Sequence, residues 1–122
     1  MNGTEFLADT NAVLYLLAGN ECMKPFLGSR LAVSAITFME LLSYSMISEQ
    51  EEQIIRNFLN SCELIQLNND IMEQTIQLRK TYKIKLPDAI IAATAKVFNI
   101  SLITADTGFN KIDGLKLSKL EP

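Results

Sequence analysis

The chain has 122 residues, among them no histidine, no tryptophan, and only two cysteines, three prolines and five glycines. Without histidine there is no Ser-His-Asp or Cys-His nucleophile system, no imidazole base and no His-ligated zinc. Any chemistry must run on carboxylates, hydroxyls, lysine or arginine. Cys22 and Cys62 stand far apart, neither with a second cysteine at the spacing of a zinc site or redox motif, and read as two buried free thiols. With neither a disulfide framework nor a signal peptide, the expected location is a reducing cytoplasm. The apolar stretch from Phe6 to Leu17 is broken by Asp9 and preceded by no Lys or Arg. No uncharged apolar run approaches the ~18 residues of a membrane span.

The residues present are those of an ordinary folded protein, 48% hydrophobic and 20% charged, enough for one domain and one core over residues 1–122. A net charge of −3 argues against passive binding to nucleic acid, but the charge is uneven. Three basic and ten acidic residues precede Arg79, whereas eight basic and four acidic residues follow from it. Arg79, Lys80, Lys83 and Lys85 fall within seven positions. Such a cluster at a helix end either complements the helix dipole or meets a phosphate backbone or an acidic partner.

Apolar runs alternate between strand and helix lengths. Glu5 to Ala8 reads as a buried strand that stops at Asp9-Thr10-Asn11, which caps a helix from Ala12 to Ala18 before Gly19. Leu31 to Ser34 reads as a second strand, followed by a helix from Ile36 to about Ile47 that carries Met39 and Glu40 on one face. Glu51 to Cys62 is amphipathic, Leu64 to Leu67 has strand length, and Asn68 caps a helix bearing Ile71, Thr75, Leu78 and Tyr82. Pro87 and Asp88 suit the first turn of a nearly all-apolar helix, Ala89 to Phe98, which belongs in the middle of the protein. Ser101 to Thr104 then reads as a strand ending near Asp106, and Leu115 to Leu117 as an edge strand. This order predicts an α/β fold with a mainly parallel central sheet covered on both faces.

In open parallel sheets the ligand crevice lies outside the carboxyl ends of the strands. Asp9 and Asp106 fall at such ends, Asp88 starts the most apolar helix, and Glu40 is expected to point inward beside Ile36 and Met39. Each acid also has an ordinary explanation: Asp9 and Asp88 as caps, Asp106 as a turn residue, Glu40 as a solvated side chain. If the four converge, each raises its neighbours' pKa, and a hard divalent cation such as Mg²⁺ or Mn²⁺ relieves the repulsion with oxygen ligands alone. Thr10, Asn11, Ser34, Thr37 and Thr104 lie near enough in sequence to orient those carboxylates or hydrogen-bond metal-bound water.

Asp9-Thr10-Asn11 after an apolar strand, Glu40 within Ser34 to Leu42, Leu86-Pro87-Asp88-Ala89 leading into the alanine-rich helix, and Thr104-Ala105-Asp106 followed by Phe109 together resemble the ordered motifs of PIN-domain nucleases. The nearest subgroup is the VapC-type toxins of toxin–antitoxin pairs, and the likeness runs from Phe6 to about Leu117. It implies a three-layer α/β/α sandwich, cleavage of RNA dependent on Mg²⁺ or Mn²⁺, a homodimer and a small cognate antitoxin. It carries the acidic metal-site roles onto Asp9, Glu40, Asp88 and Asp106, with Thr10, Asn11 and Thr104 in support. On this reading Arg79, Lys80, Lys83 and Lys85 are candidate contacts to the RNA backbone.

Two other classes compete. An aspartyl-phosphate phosphatase or a phospho-receiver also places an Asp after its first parallel strand. Asp9-Thr10-Asn11, however, lacks the second Asp two positions on, and no Asp follows the run Leu64 to Leu67. A catalytically inactive protein-interaction module of the same fold has no need of four convergent acids.

Overall fold

Residues 3–122 are described by a computed structural model. Period-two alternation in the short strands decides the architecture, because successive side chains enter opposite layers. Leu7, Ala32 and Leu102 pack into one core with Ile71, Leu78 and Ile91, while Ala8, Val33 and Ile103 pack into the other with Val13, Ile55 and Leu59. Five strands form a sheet in the order β3-β2-β1-β4-β5, parallel throughout: β1 (Phe6–Ala8), β2 (Leu31–Ser34), β3 (Glu63–Ile65), β4 (Ser101–Thr104) and β5 (Leu117–Lys119). Helices α1 (Thr10–Leu17) and α3 (Glu49–Asn60) supply the second core, and α4 (Asn69–Thr81) and α5 (Leu86–Phe98) the first. Helix α2 (Ala35–Ser43) contributes to both through Ile36 and Leu41. The result is the expected three-layer sandwich.

The chain leaves β1 for β2 and β3 on one side, then crosses to β4 and β5 on the other. The order therefore reverses between β1 and β4, which opens a crevice at their carboxyl ends. Asp9 immediately follows β1, and Asp106 lies two residues past β4. Helix α5 brings Asp88 to the same end of the sheet, because a helix feeding a parallel strand runs back against the strand direction. Pro87 lies within its first turn, as its fixed φ favours.

Several boundaries differ from the sequence expectation, each for a local reason. Helix α2 ends at Ser43 rather than near Ile47: Tyr44 is extended, Met46 takes a positive φ of 69°, and Ser48 starts α3 with a reciprocal Ser48–Glu51 capping box. Strand β3 lies at Glu63–Ile65 rather than Leu64 to Leu67, since pairing with Ala32–Ser34 ends at Ile65 and leaves Leu67 exposed. Strand β5 lies two residues later than Leu115 to Leu117 and pairs with Leu102–Thr104. Two 3-10 turns, Glu21–Phe26 and Thr107–Lys111, had no counterpart in the sequence reading; both are capped by a side chain, that of Asn20 or Asp106. Cys22 and Cys62 are free but only half-buried, because each lies at the margin of its core. Among the described residues no helix is long and apolar enough to cross a membrane.

Asn99 joins α5 to β4 in the left-handed region, φ 54° and ψ 45°. A residue with a Cβ is strained there unless its side chain is Asn-like, so the link between the helix bearing Asp88 and the strand before Asp106 depends on this position. Asn99→Ala is expected to lower the unfolding free energy by about 1 kcal/mol and Asn99→Gly to leave it nearly unchanged. Urea unfolding of both variants checks this.

Candidate functional site

Asp9 is the innermost acid, 6% exposed, with its backbone N–H donating to the Ile103 carbonyl of β4 at 3.2 Å. Its Oδ1 accepts the Ala12 N–H at 2.8 Å, so the carboxylate caps α1. Burial pushes its pKa above the ordinary carboxylate value, and the charges of Asp106 and Asp88 push the same way. The Thr104 hydroxyl and the Ala12 N–H offset part of that rise. Thr104, itself buried, also accepts the Asp106 backbone N–H at 3.0 Å, so one hydroxyl sits between the two acids.

Asp88 is half-buried in the first turn of α5. Burial raises its pKa first, then the charges of Asp106 and Glu40, while the Lys85 ammonium lowers it. Asp106 is exposed, its Oδ1 held by the Gly108 N–H at 2.8 Å. The four acids thus share one end of the sheet. Among the described residues the only ion pair is Arg56–Glu52, on α3, so no cation is bonded to this cluster.

Glu40 does not point inward as its helical face suggested. Thr37 and Leu41 take the buried stripe of α2, and Glu40, one position off that stripe, is carried to the exposed rim beside an exposed Met39. There its Oε1 accepts the Thr10 hydroxyl at 2.7 Å, and Thr10 Oγ1 lies 3.2 Å from the buried Thr37 Oγ1. Thr10 and Thr104 are both drawn into the cluster. Asn11 is exposed and has no side-chain hydrogen bond among those of the described residues, and Ser34 is occupied in capping α2 through Ile36 N–H at 3.1 Å.

The basic cluster divides. Lys83 and Lys85 line an open cleft of about 280 Å³ together with Asp88 and Asp106, whereas Arg79 and Lys80 line a neighbouring groove of about 530 Å³. Lys83 and Ile84 border both. Lys111 also lines the acid cleft, brought there by a contact with Lys83 across 28 positions of sequence, which no local pattern signals.

An all-oxygen donor set, uncompensated by any bonded cation and with two pKa values raised, suits a hard divalent ion such as Mg²⁺ or Mn²⁺. In the present side-chain arrangement no three acids among the described residues close on one point, so an ion has to draw them together. The exposed Asp106 and half-buried Asp88 have room to turn; the buried Asp9 does not.

A family model described as PIN domain matches residues 6–115. Among solved structures, a toxin–antitoxin complex from Klebsiella pneumoniae is 37% identical over 91% of this chain and 95% of that one, with a TM-score of 0.79. VapBC-1 from nontypeable Haemophilus influenzae is 25% identical over 95% and 98% of the two chains, with a TM-score of 0.80. DNA-bound VapBC from Salmonella typhimurium superposes with a TM-score of 0.85 over 95% and 98% at 22% identity, a likeness of fold. No curated protein matches.

The raised pKa values give the acids a defined sign in stability. A carboxyl whose folded pKa is above its unfolded one costs stability as pH rises from the unfolded value through the folded one, and the cost persists above it. In chelator at neutral pH, Asp9→Asn, which keeps the capping oxygen, is expected to raise the thermal midpoint. The gap to the wild type should close as pH falls to the ordinary carboxylate pKa. A lower midpoint in the variant would show that the charged cap outweighs the repulsion.

Proposed function

The chain belongs to the PIN domain family, and we propose that it is a metal-dependent endoribonuclease, the toxin of a toxin–antitoxin pair. The observation that carries the reading is that Asp9, Glu40, Asp88 and Asp106 lie at one end of the sheet, near enough to raise one another's cost of ionisation, with no cation bonded to them among the described residues. Asp9, Asp88 and Asp106 are the proposed ligands of Mg²⁺ or Mn²⁺, with Glu40 as a further ligand or as acceptor of the water proton. Such an ion, when bound, lowers the pKa of its water and shields the scissile phosphate from the acids.

The chain's own groups supply position and proton handling. Asp9 cannot swing away, being tied to Ala12 and buried, so it sets the floor of the site. Thr104 holds the Asp106 backbone next to it, and Thr10 holds the Glu40 carboxylate over the rim. A Glu40 oxygen not bonded to Thr10 remains free to accept a proton. Lys83 and Lys85 attract the RNA backbone to a cleft whose floor would repel it. No feature of the cleft specifies a base sequence.

The toxin–antitoxin structures to which the chain is similar support a cognate protein partner, and a homodimer is part of the same proposal. Apolar side chains are exposed on two surfaces suited to such contacts. Met39, Met46 and Ile54 lie about α2 and α3, and Met72, Ile76 and Leu86 about α4 and α5. The proposed setting is the cytoplasm.

Purified protein is expected to cleave a mixed RNA substrate only with Mg²⁺ or Mn²⁺, and Asp9→Asn and Asp88→Asn to lose cleavage by about a hundredfold or more. Thr10→Val, which frees Glu40, should cost about tenfold. Gel assays of initial rates measure all three. A thermal midpoint unmoved by Mn²⁺, with no cleavage, would favour the inactive interaction module instead.

A further inference from the structure

Lys111 ends the 3-10 turn Thr107–Lys111, which Asp106 caps at its start and the buried Phe109 anchors to the first core. Its Nζ donates to the Lys83 backbone carbonyl at 2.6 Å, across the cleft that Asp88 and Asp106 line. An ammonium has three N–H donors, so two remain. Neither is spent on an acid, since Arg56–Glu52 is the only ion pair among the described residues. The tether limits the freedom of a long side chain, which lowers the entropy lost when it takes a ligand. Lys83 and Lys85 line the same cleft, and Lys83 also borders the groove lined by Lys80 and Arg79.

Taking the ribonuclease reading as its premise, we infer that Lys111 binds the backbone phosphate adjacent to the one being cut, at the start of a cationic track that runs over Lys83 to Lys80 and Arg79. A polyanion lies over acidic groups only where cations hold its flanking charges, and Lys83, Lys85 and Lys111 line the cleft beside Asp88 and Asp106. The phosphate is recognised as a point charge, as suits an ammonium with two free N–H groups.

Binding of a fluorescein-labelled single-stranded oligouridylate, followed by anisotropy against salt concentration in Mg²⁺, tests this. The measurements use the Asp9→Asn chain so that cleavage does not consume the probe. Adding Lys111→Met is expected to reduce the slope of log affinity against log salt by about 0.7, which is about fivefold weaker binding at 0.1 M salt relative to 1 M. Lys111→Arg should restore the slope. Lys116→Met removes an equal charge beside the amino end of β4, where the Lys116 carbonyl accepts the Leu102 N–H, and should leave the slope unchanged. An unchanged slope in Lys111→Met overturns the inference, as does an equal effect from Lys116→Met. Failure of the parent chain to bind RNA at any salt would overturn the ribonuclease reading and this inference with it.

Discussion

Repulsion between carboxylates at the carboxyl end of the sheet is the constraint around which this molecule is arranged. Asp9 is buried and Asp88 half-buried; burial first, and then the charges of neighbouring acids, raises the cost of ionising each. A fold under selection for stability alone has no reason to bring them together. It is tolerated partly because the Ala12 N–H and the Thr104 hydroxyl favour the charged form of Asp9, while Gly108 N–H and Thr10 hold the side chains of Asp106 and Glu40 in place. The cluster is therefore partly compensated by neutral donors, leaving its charge available to a cation.

The same constraint accounts for the placement of the lysines. Among the described residues they form no ion pair with the acids, but line the acid cleft and the groove beside it. Direct pairing would neutralise the site and close it. Unpaired, the lysines and the acids line one cleft together and leave both signs of charge open to a ligand. The pairing of an acidic floor with a basic margin is thus compatible with a chain whose net charge is only −3.

Much of this was legible in the sequence because the relevant signals are local. Asp9 and Asp106 follow apolar strand-length runs, and Asp88 follows a proline that marks a helix start. Strand alternation of buried residues then implies two covered faces. What was not legible depended on contacts between distant segments. The inward expectation for Glu40 failed because helical periodicity places a residue on a face without saying where the face meets its neighbours, and Thr10, thirty positions away, decided it. Lys111 likewise reaches the cleft through a contact between distant segments. The break after Ser43 was a matter of competing starts, since Ser48 and Glu51 form a better helix beginning than a continued α2 could supply.

The distances in sequence among the four acids have a consequence for synthesis. Asp9 lies beside Thr104 only after β4 has paired with β1, and β4 comes near the end of the described residues. A nascent chain still lacking β4 has neither the central pairing of the sheet nor the hydroxyl that steadies Asp9, and it holds at most three of the four carboxylates. Assembly of the site therefore waits on the long-range pairing of β4 with β1, the slowest kind of contact for a chain to make.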